Sequence, residues 1–189
     1  GRYEEALADY NVVLAAEPDH AGHLNDRGAT LINLGRYADG LVDLNKALEL
    51  EPGWSFALDN RGAALSALGR YDEAIADYSR SLEEWPDDPA TLAARALAYA
   101  RVGKGQEALA DANRAVDEQD TEDLWDPGTM YDVACVYAQL DAEALAIDAL
   151  SNALDLGFDD VDLLENDPDL DKLRKSPQFR ALLREVKGG

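Results

Sequence analysis

Apolar and small residues recur along the chain at steps of three and four. From Leu24 they fall at Gly28, Leu31, Ile32 and Leu34, and from Tyr37 at Gly40, Leu41, Leu44, Ala47 and Leu48. Each set lines one face of a helix. Gly35 lies between the sets and ends the first helix, because glycine takes the left-handed conformation that a helix end requires. Pro52 stops the second helix, as Pro18 and Pro86 do in their own segments. The same pattern predicts an antiparallel helix pair over residues 55–67 and 71–84.

The pattern repeats. "GRYEEAL", "GRYADGL", "GRYDEAI" and "GKGQEAL" begin at residues 1, 35, 69 and 103, a step of 34 each time. A period of this size marks stacked helix–turn–helix units, each too small to bury its own apolar face and therefore sharing a core with its neighbours. Gly28, Gly62, Ala96 and Ala134 occupy one repeated position, and Ala6, Gly40, Ala74, Ala108 and Ala146 another. Small residues there let the two helices of a hairpin approach closely, and a larger side chain overpacks at a cost of roughly 1–3 kcal/mol.

These residues resemble the tetratricopeptide repeat (TPR) family. Residues 21–54 carry Leu24, Gly28, Leu31, Gly35, Tyr37, Gly40, Leu44, Ala47 and Pro52, and residues 55–88 carry Leu58, Gly62, Leu65, Gly69, Tyr71, Ala74, Tyr78, Ser81 and Pro86. Residues 89–122 keep Leu92, Ala96, Tyr99, Gly103, Ala108, Ala112 and Ala115, but have Gly105 where Tyr is expected and Asp120 where Pro is expected. A further unit, 127–157, follows a four-residue insertion and keeps Ala134, Tyr137, Ala146 and Ala153. Residues 1–20 read as the second helix of a truncated repeat, and 158–189 as an acidic capping tail whose last helix starts at Ser176 and Pro177, with Phe179, Leu182, Leu183 and Val186 on one face. The resemblance implies an all-α fold, a right-handed superhelical α-solenoid of antiparallel hairpins with a concave groove lined by the first helix of each unit. Because Gly1 is not a natural start and the sequence opens inside a repeat, the chain reads as part of something longer.

A second ladder has the same period. Arg27, Arg61 and Arg95 recur at 34 residues, and so do Asp9, Asp43, Asp77 and Asp111. Each Arg could meet the Asp of its own unit (Arg27 with Asp43, Arg61 with Asp77, Arg95 with Asp111) or that of the preceding unit. The fifth unit has Val133 and Ala149 at these positions, and the joint loss favours pairing within a unit. Bidentate pairs of this kind fix register more surely than they add stability. The alternative is a solvated charge stripe.

Composition narrows the function. The chain has 189 residues, 47% hydrophobic, and a net charge of −22 from 39 acidic and 17 basic residues. That balance argues against nucleic acid, whose phosphates call for clustered Lys and Arg, and against anionic membranes. The single cysteine, Cys135, permits no intrachain disulfide and favours a reducing compartment, so the chain is expected in the cytoplasm. Between Arg114 and Lys172 there is no basic residue at all. The acidic window 115–171 is either a solubilising face or a field that steers a basic partner.

The search for chemistry yields no catalytic site, cofactor or metal site. His20 and His23 stand at a helix entry with no third ligand suggested, and Cys135 reads as a small packed hydrophobe. Residues 167–178 carry Asp at the first, third and fifth positions of a calcium-type loop, but Lys172 replaces the required Gly and Gln178 the required Glu. The expected function is therefore a non-catalytic scaffold that binds a peptide or protein segment, basic or mixed in charge. The groove positions that the resemblance implies are Asn25, Asp26 and Asn33; Phe56, Asp59 and Asn60; Arg101; and Tyr131, Asp132 and Gln139. No Lys occupies these positions, which departs from the relatives that clamp a terminal carboxylate. The alternatives are the regulatory repeat region of a larger signalling enzyme whose catalytic domain precedes Gly1, and a calcium-responsive acidic module. Oligomeric state is not written in the sequence.

Overall fold

The computed structural model describes residues 2–119 and 126–188, all of whose regular structure is helical. All but the last residue of the four-residue insertion, the expected proline position at 120 and part of the acidic window fall outside the described residues. The chain divides into two compact units, Gly1–Pro86 and Asp87–Gly189. The first holds α1 (Arg2–Ala16), α2 (Ala21–Asn33), α3 (Tyr37–Leu50), α4 (Ser55–Ala67) and α5 (Tyr71–Glu84). Helices α2 and α3, and α4 and α5, pack as hairpins, while α1 lies on α2 and α3 on α4. The second unit holds α6 (Pro89–Arg101), α7 (Gly105–Gln119), α8 (Pro127–Gln139), α9 (Glu143–Asp155), α10 (Val161–Asn166) and α11 (Pro177–Gly188), with 3-10 turns at Pro168–Leu170 and Leu173–Lys175. Its hairpins are α6–α7 and α8–α9.

The turns explain the hairpins. Gly35, Gly69 and Gly103 take positive φ of 71°, 73° and 76°, and at the corresponding place in the fourth hairpin Asp141 does so, at 59°. Each reverses the chain so that the next N–H returns to the first helix, as when Arg36 N–H bonds Leu31 O at 2.8 Å. His20 begins α2 unexpectedly, its ring Nδ1 accepting from His23 N–H at 3.2 Å, whereas Asp88 and Asp126 cap α6 and α8 in the ordinary way.

Close packing sets the small residues. A Cβ on Gly28 would sit 2.7 Å from Leu44 Cγ, and one on Gly62 2.6 Å from Tyr78 Cε1. Around these contacts the cores close: Leu14, Leu24, Ala47, Leu48, Ala57 and Leu58 form one cluster with Trp54 against it. In the second unit Leu92, Val133, Leu150, Leu164, Leu170 and Phe179 are fully buried. The tail thus supplies three of the side chains that complete this core. Ser176 Oγ accepts from Phe179 N–H at the start of α11. No helix among the described residues is long and apolar enough to cross a membrane.

Candidate peptide-binding surface

The Arg and Asp ladder runs within hairpins. Arg27 Nε and Nη2 donate to Asp43 at 2.6 and 2.7 Å, Arg61 to Asp77 at 2.7 and 2.7 Å, and Arg95 to Asp111 at 2.7 and 3.0 Å. All three carboxylates are buried. Hydrogen bonds donated to Asp43 and Asp77 hold the Arg27 and Arg61 guanidiniums above their usual pKa; around Arg95 burial works against the charge and Asp111 overcomes it. The preceding repeat contributes as well, through an asparagine: Arg27 Nη1 donates to Asn11 Oδ1 and Arg61 Nη1 to Asn45 Oδ1, both at 3.0 Å. The Arg27 and Arg61 guanidiniums therefore each join the two helices of their hairpin to the helix before it. In α8 and α9 the equivalent Val133 and Ala149 are buried side chains without charge.

With the hairpins held, α2 and α4 present their outward faces. Asn60 Nδ2 donates to Asn25 Oδ1 at 2.9 Å, linking the two helices, and Asn25 Nδ2 reaches Asp26 Oδ1 at 3.3 Å. Burial, and then Asp26, raise the Tyr10 phenol pKa from the neighbouring helix α1. Phe56 lies one turn before Asn60 on α4 and is 65% exposed. Asp59 is half-buried between them in sequence, and Asn33 is exposed with its amide turned back to Ala29 O at 3.0 Å. The structure thus brings Asn25, Asp26 and Asn60 together, with a bare aromatic ring on the same helix face as Asn60.

The corresponding positions of the second unit meet the tail. Arg101 Nη2 donates to Asp169 Oδ2 at 2.6 Å, and Tyr131 Oη to Asp167 Oδ2 at 2.7 Å. The Tyr131 ring stacks on Phe158 with centroids 4.5 Å apart. Lys172 Nζ donates to Gln139 O at 2.7 Å and pairs with Asp141 at 2.8 Å, while the Gln139 side-chain nitrogen is buried without a partner among the described residues. Asp132 sits among Asp126, Asp167 and Asp169, and burial beside these carboxylates pushes its pKa up to about 7. Burial likewise raises the Cys135 thiol, the Tyr131 phenol and the Asp169 carboxyl, the last against the pull of Arg101. Much of the described acidic window is thus engaged inside this unit: Asp126 and Asp160 cap helices, and Asp171 pairs with Arg174.

Among the described residues two groups of potential metal ligands bring donor atoms within 4.8 Å of one another, Glu17, His20 and His23, and Cys135, Asp167 and Asp169. In the first, His20 Nδ1 is committed to the helix cap and its ring stacks on His23 at 3.9 Å. In the second, Tyr131 and Arg101 already hold the two carboxylates. Residues 167–175 form short 3-10 turns, with Asp167 accepting from Asp169 N–H.

Profiles described as tetratricopeptide repeat match residues 1–54 and 60–88. A chloroplastic protein of Arabidopsis thaliana is 42% identical over 55 residues, which is 29% of this chain and 16% of that protein's length. Among solved structures, a thermophilic TPR protein of Thermus thermophilus superposes with a TM-score of 0.72 at 18% identity, covering 100% of this chain and 92% of its own. YrrB, described as a TPR protein with an unusual peptide-binding site, superposes with a TM-score of 0.59 at 13% identity, covering 95% and 91%. At these identities the structures establish a shared fold of stacked helical hairpins.

Proposed function

Because this chain belongs to the tetratricopeptide repeat family, we propose that it is a non-catalytic scaffold whose α2–α4 face docks a peptide or protein segment, basic or mixed in charge. The observation that carries this reading is Phe56, exposed beside a polar strip of Asn25, Asp26, Asp59 and Asn60 that contains carboxylates and no cation. An open aromatic ring supplies apolar contact area, and the flanking amides satisfy the backbone of an extended segment. The carboxylates favour Lys or Arg on that segment, and a chain of net charge −22 repels nucleic acid. The peptide-binding description of YrrB supports docking on this fold. A buried, unbridged Cys135 suits the cytoplasm as the place of action.

The test is an array of lysine- and arginine-bearing peptides with a central apolar residue, followed by titration of the best binder. Phe56→Ala and Asn60→Ala should each weaken binding about tenfold with unchanged helicity. Binding indifferent to both substitutions overturns the proposal.

A second reading is the regulatory repeat region of a larger signalling enzyme. A catalytic domain encoded upstream would favour this reading over the stand-alone scaffold.

A further inference from the structure

Residues 172–187 reverse the charge of the molecule. They carry Lys172, Arg174, Lys175, Arg180, Arg184 and Lys187 against a single acid, Glu185, in a chain with 39 acidic and 17 basic residues overall. Lys172 and Arg174 are used within the fold: the first pairs with Asp141, and the second donates to Glu165 O and Asp167 O at 2.9 and 2.8 Å. Lys187 pairs with Glu165. Arg180 and Arg184 differ. Arg180 Nη2 reaches only Lys175 O, at 3.2 Å, and Arg184 Nε only Arg180 O, at 3.1 Å. Neither they nor Lys175 meets a carboxylate among the described residues.

Arg80 and Lys104 likewise meet no carboxylate among the described residues, the first donating to Pro52 O and the second lying over the Tyr99 ring, but they stand on separate elements, whereas Arg180 and Arg184 share one helix. They are also arranged. Arg180 and Arg184 are four residues apart, so their guanidiniums emerge from one face of α11 a helical turn apart. With Pro177, Leu183 and Lys187 on one side and Glu165 of α10 on the other, they line a cleft of about 480 Å³. Phe179, about a quarter turn round α11 from Arg180, is fully buried and anchors the helix, while Arg180 and Arg184 are exposed.

We propose that this cleft is a docking site for an acidic segment of a partner protein, with carboxylates on Arg180 and Arg184 and an apolar side chain over Leu183 and Pro177. Two guanidiniums present ten N–H donors in fixed forks between them, of which the fold uses two. Carboxylates accept such forks in pairs of parallel hydrogen bonds, a geometry that lysine cannot reproduce. The remainder of the chain repels the same segment, so an acidic partner is confined to this end of the molecule. The site shares no residue with the α2–α4 face and prefers the opposite charge.

The probe is a labelled peptide of alternating glutamate pairs and single leucines, titrated into the full chain and followed by fluorescence anisotropy at low and at moderate salt. The expected result is saturable binding that weakens with salt, falls at least about tenfold for Arg180→Glu with Arg184→Glu, and weakens several-fold for Arg180→Lys with Arg184→Lys. Phe56→Ala should leave it unchanged, which separates failure here from failure of the α2–α4 docking surface. Undiminished binding by the charge-reversed chain overturns the proposal, as does absence of binding at low salt. Two other results also overturn it: self-association abolished by the same reversal, which assigns the cleft to a second copy, or capture of phosphatidylserine vesicles in place of the peptide. Circular dichroism of the charge-reversed chain checks that α11 persists; should it melt, protection of Arg180 and Arg184 from arginine-directed labelling by the peptide on the unmodified chain decides in its stead.

Discussion

Hairpins α4–α5 and α8–α9 share one backbone plan and differ in two respects. The first is pinned by Arg61 and Asp77, the second by Val133 and Ala149 in the same places. The first shows Phe56 to solvent, and the second has Tyr131 buried under Phe158 and Asp167 of the tail. The comparison separates two jobs that the repeat performs together. Holding a hairpin shut can be done by a charged pair or by apolar contact, whereas the state of the outward face depends on what chain follows. The tail makes α8 an inner helix, and α4 remains a surface.

The largest test of this contrast is Arg61→Ala. It strands the Asp77 carboxylate in the core and should cost about 3 kcal/mol in urea unfolding followed on the first unit. Replacing the pair as Arg61→Val with Asp77→Ala copies the fourth hairpin and should recover most of the loss; no recovery would show that the charged pair is not interchangeable with apolar packing. Next is Gly62→Ala, which drives a methyl into Tyr78 and should destabilise by about 2 kcal/mol.

The pH test acts on the other hairpin. Asp132 has its folded pKa raised to about 7, above its unfolded value, so it contributes stability at low pH that is lost as pH rises through the folded pKa. The groups that face it are Asp126, Asp167 and Asp169, with Arg101 the cation bound to the last of them. Moving from pH 6 to pH 8 should cost the second unit about 1 kcal/mol, read as faster amide exchange in α8 and the tail, and Asp132→Asn should abolish the dependence. The smallest expected effect is on Phe56→Ala, which should change stability by under about 0.5 kcal/mol because the ring is already in water. A larger loss would mean that Phe56 belongs to the core and not to a docking surface.

The helices, their turns and the close approach at Gly28 and Gly62 are legible in the sequence because the same physical demand is written several times. The spacing of Arg27 and Asp43 is legible for the same reason, and the joint absence at Val133 and Ala149 points to the partner. Asn11 and Asn45 carry the same signal, 34 residues apart with Asn113 a further 68 on, yet an amide beside a charged ladder draws no notice until the guanidinium is seen to use it. The tail contacts are another matter. Arg101 meets Asp169 of the tail, which belongs to no repeat unit, and Tyr131 and Phe158 belong to no shared period. A contact made once leaves no periodic trace, so the groove positions Arg101, Tyr131 and Gln139 give no sign in the sequence that the chain's own end lies on them. The left-handed turn at Asp141 is hidden similarly, since its role is normally announced by glycine.

The arginine that grips its own aspartate and its predecessor's asparagine also bears on how such a chain grows. An in-frame duplication of residues 21–54 would carry Arg27, Asp43 and Asn45 together, so the new module would arrive with its own clasp, an arginine for the asparagine behind it and an asparagine for the arginine ahead. Both seams match without further substitution, and lengthening the array requires no invention of an interface.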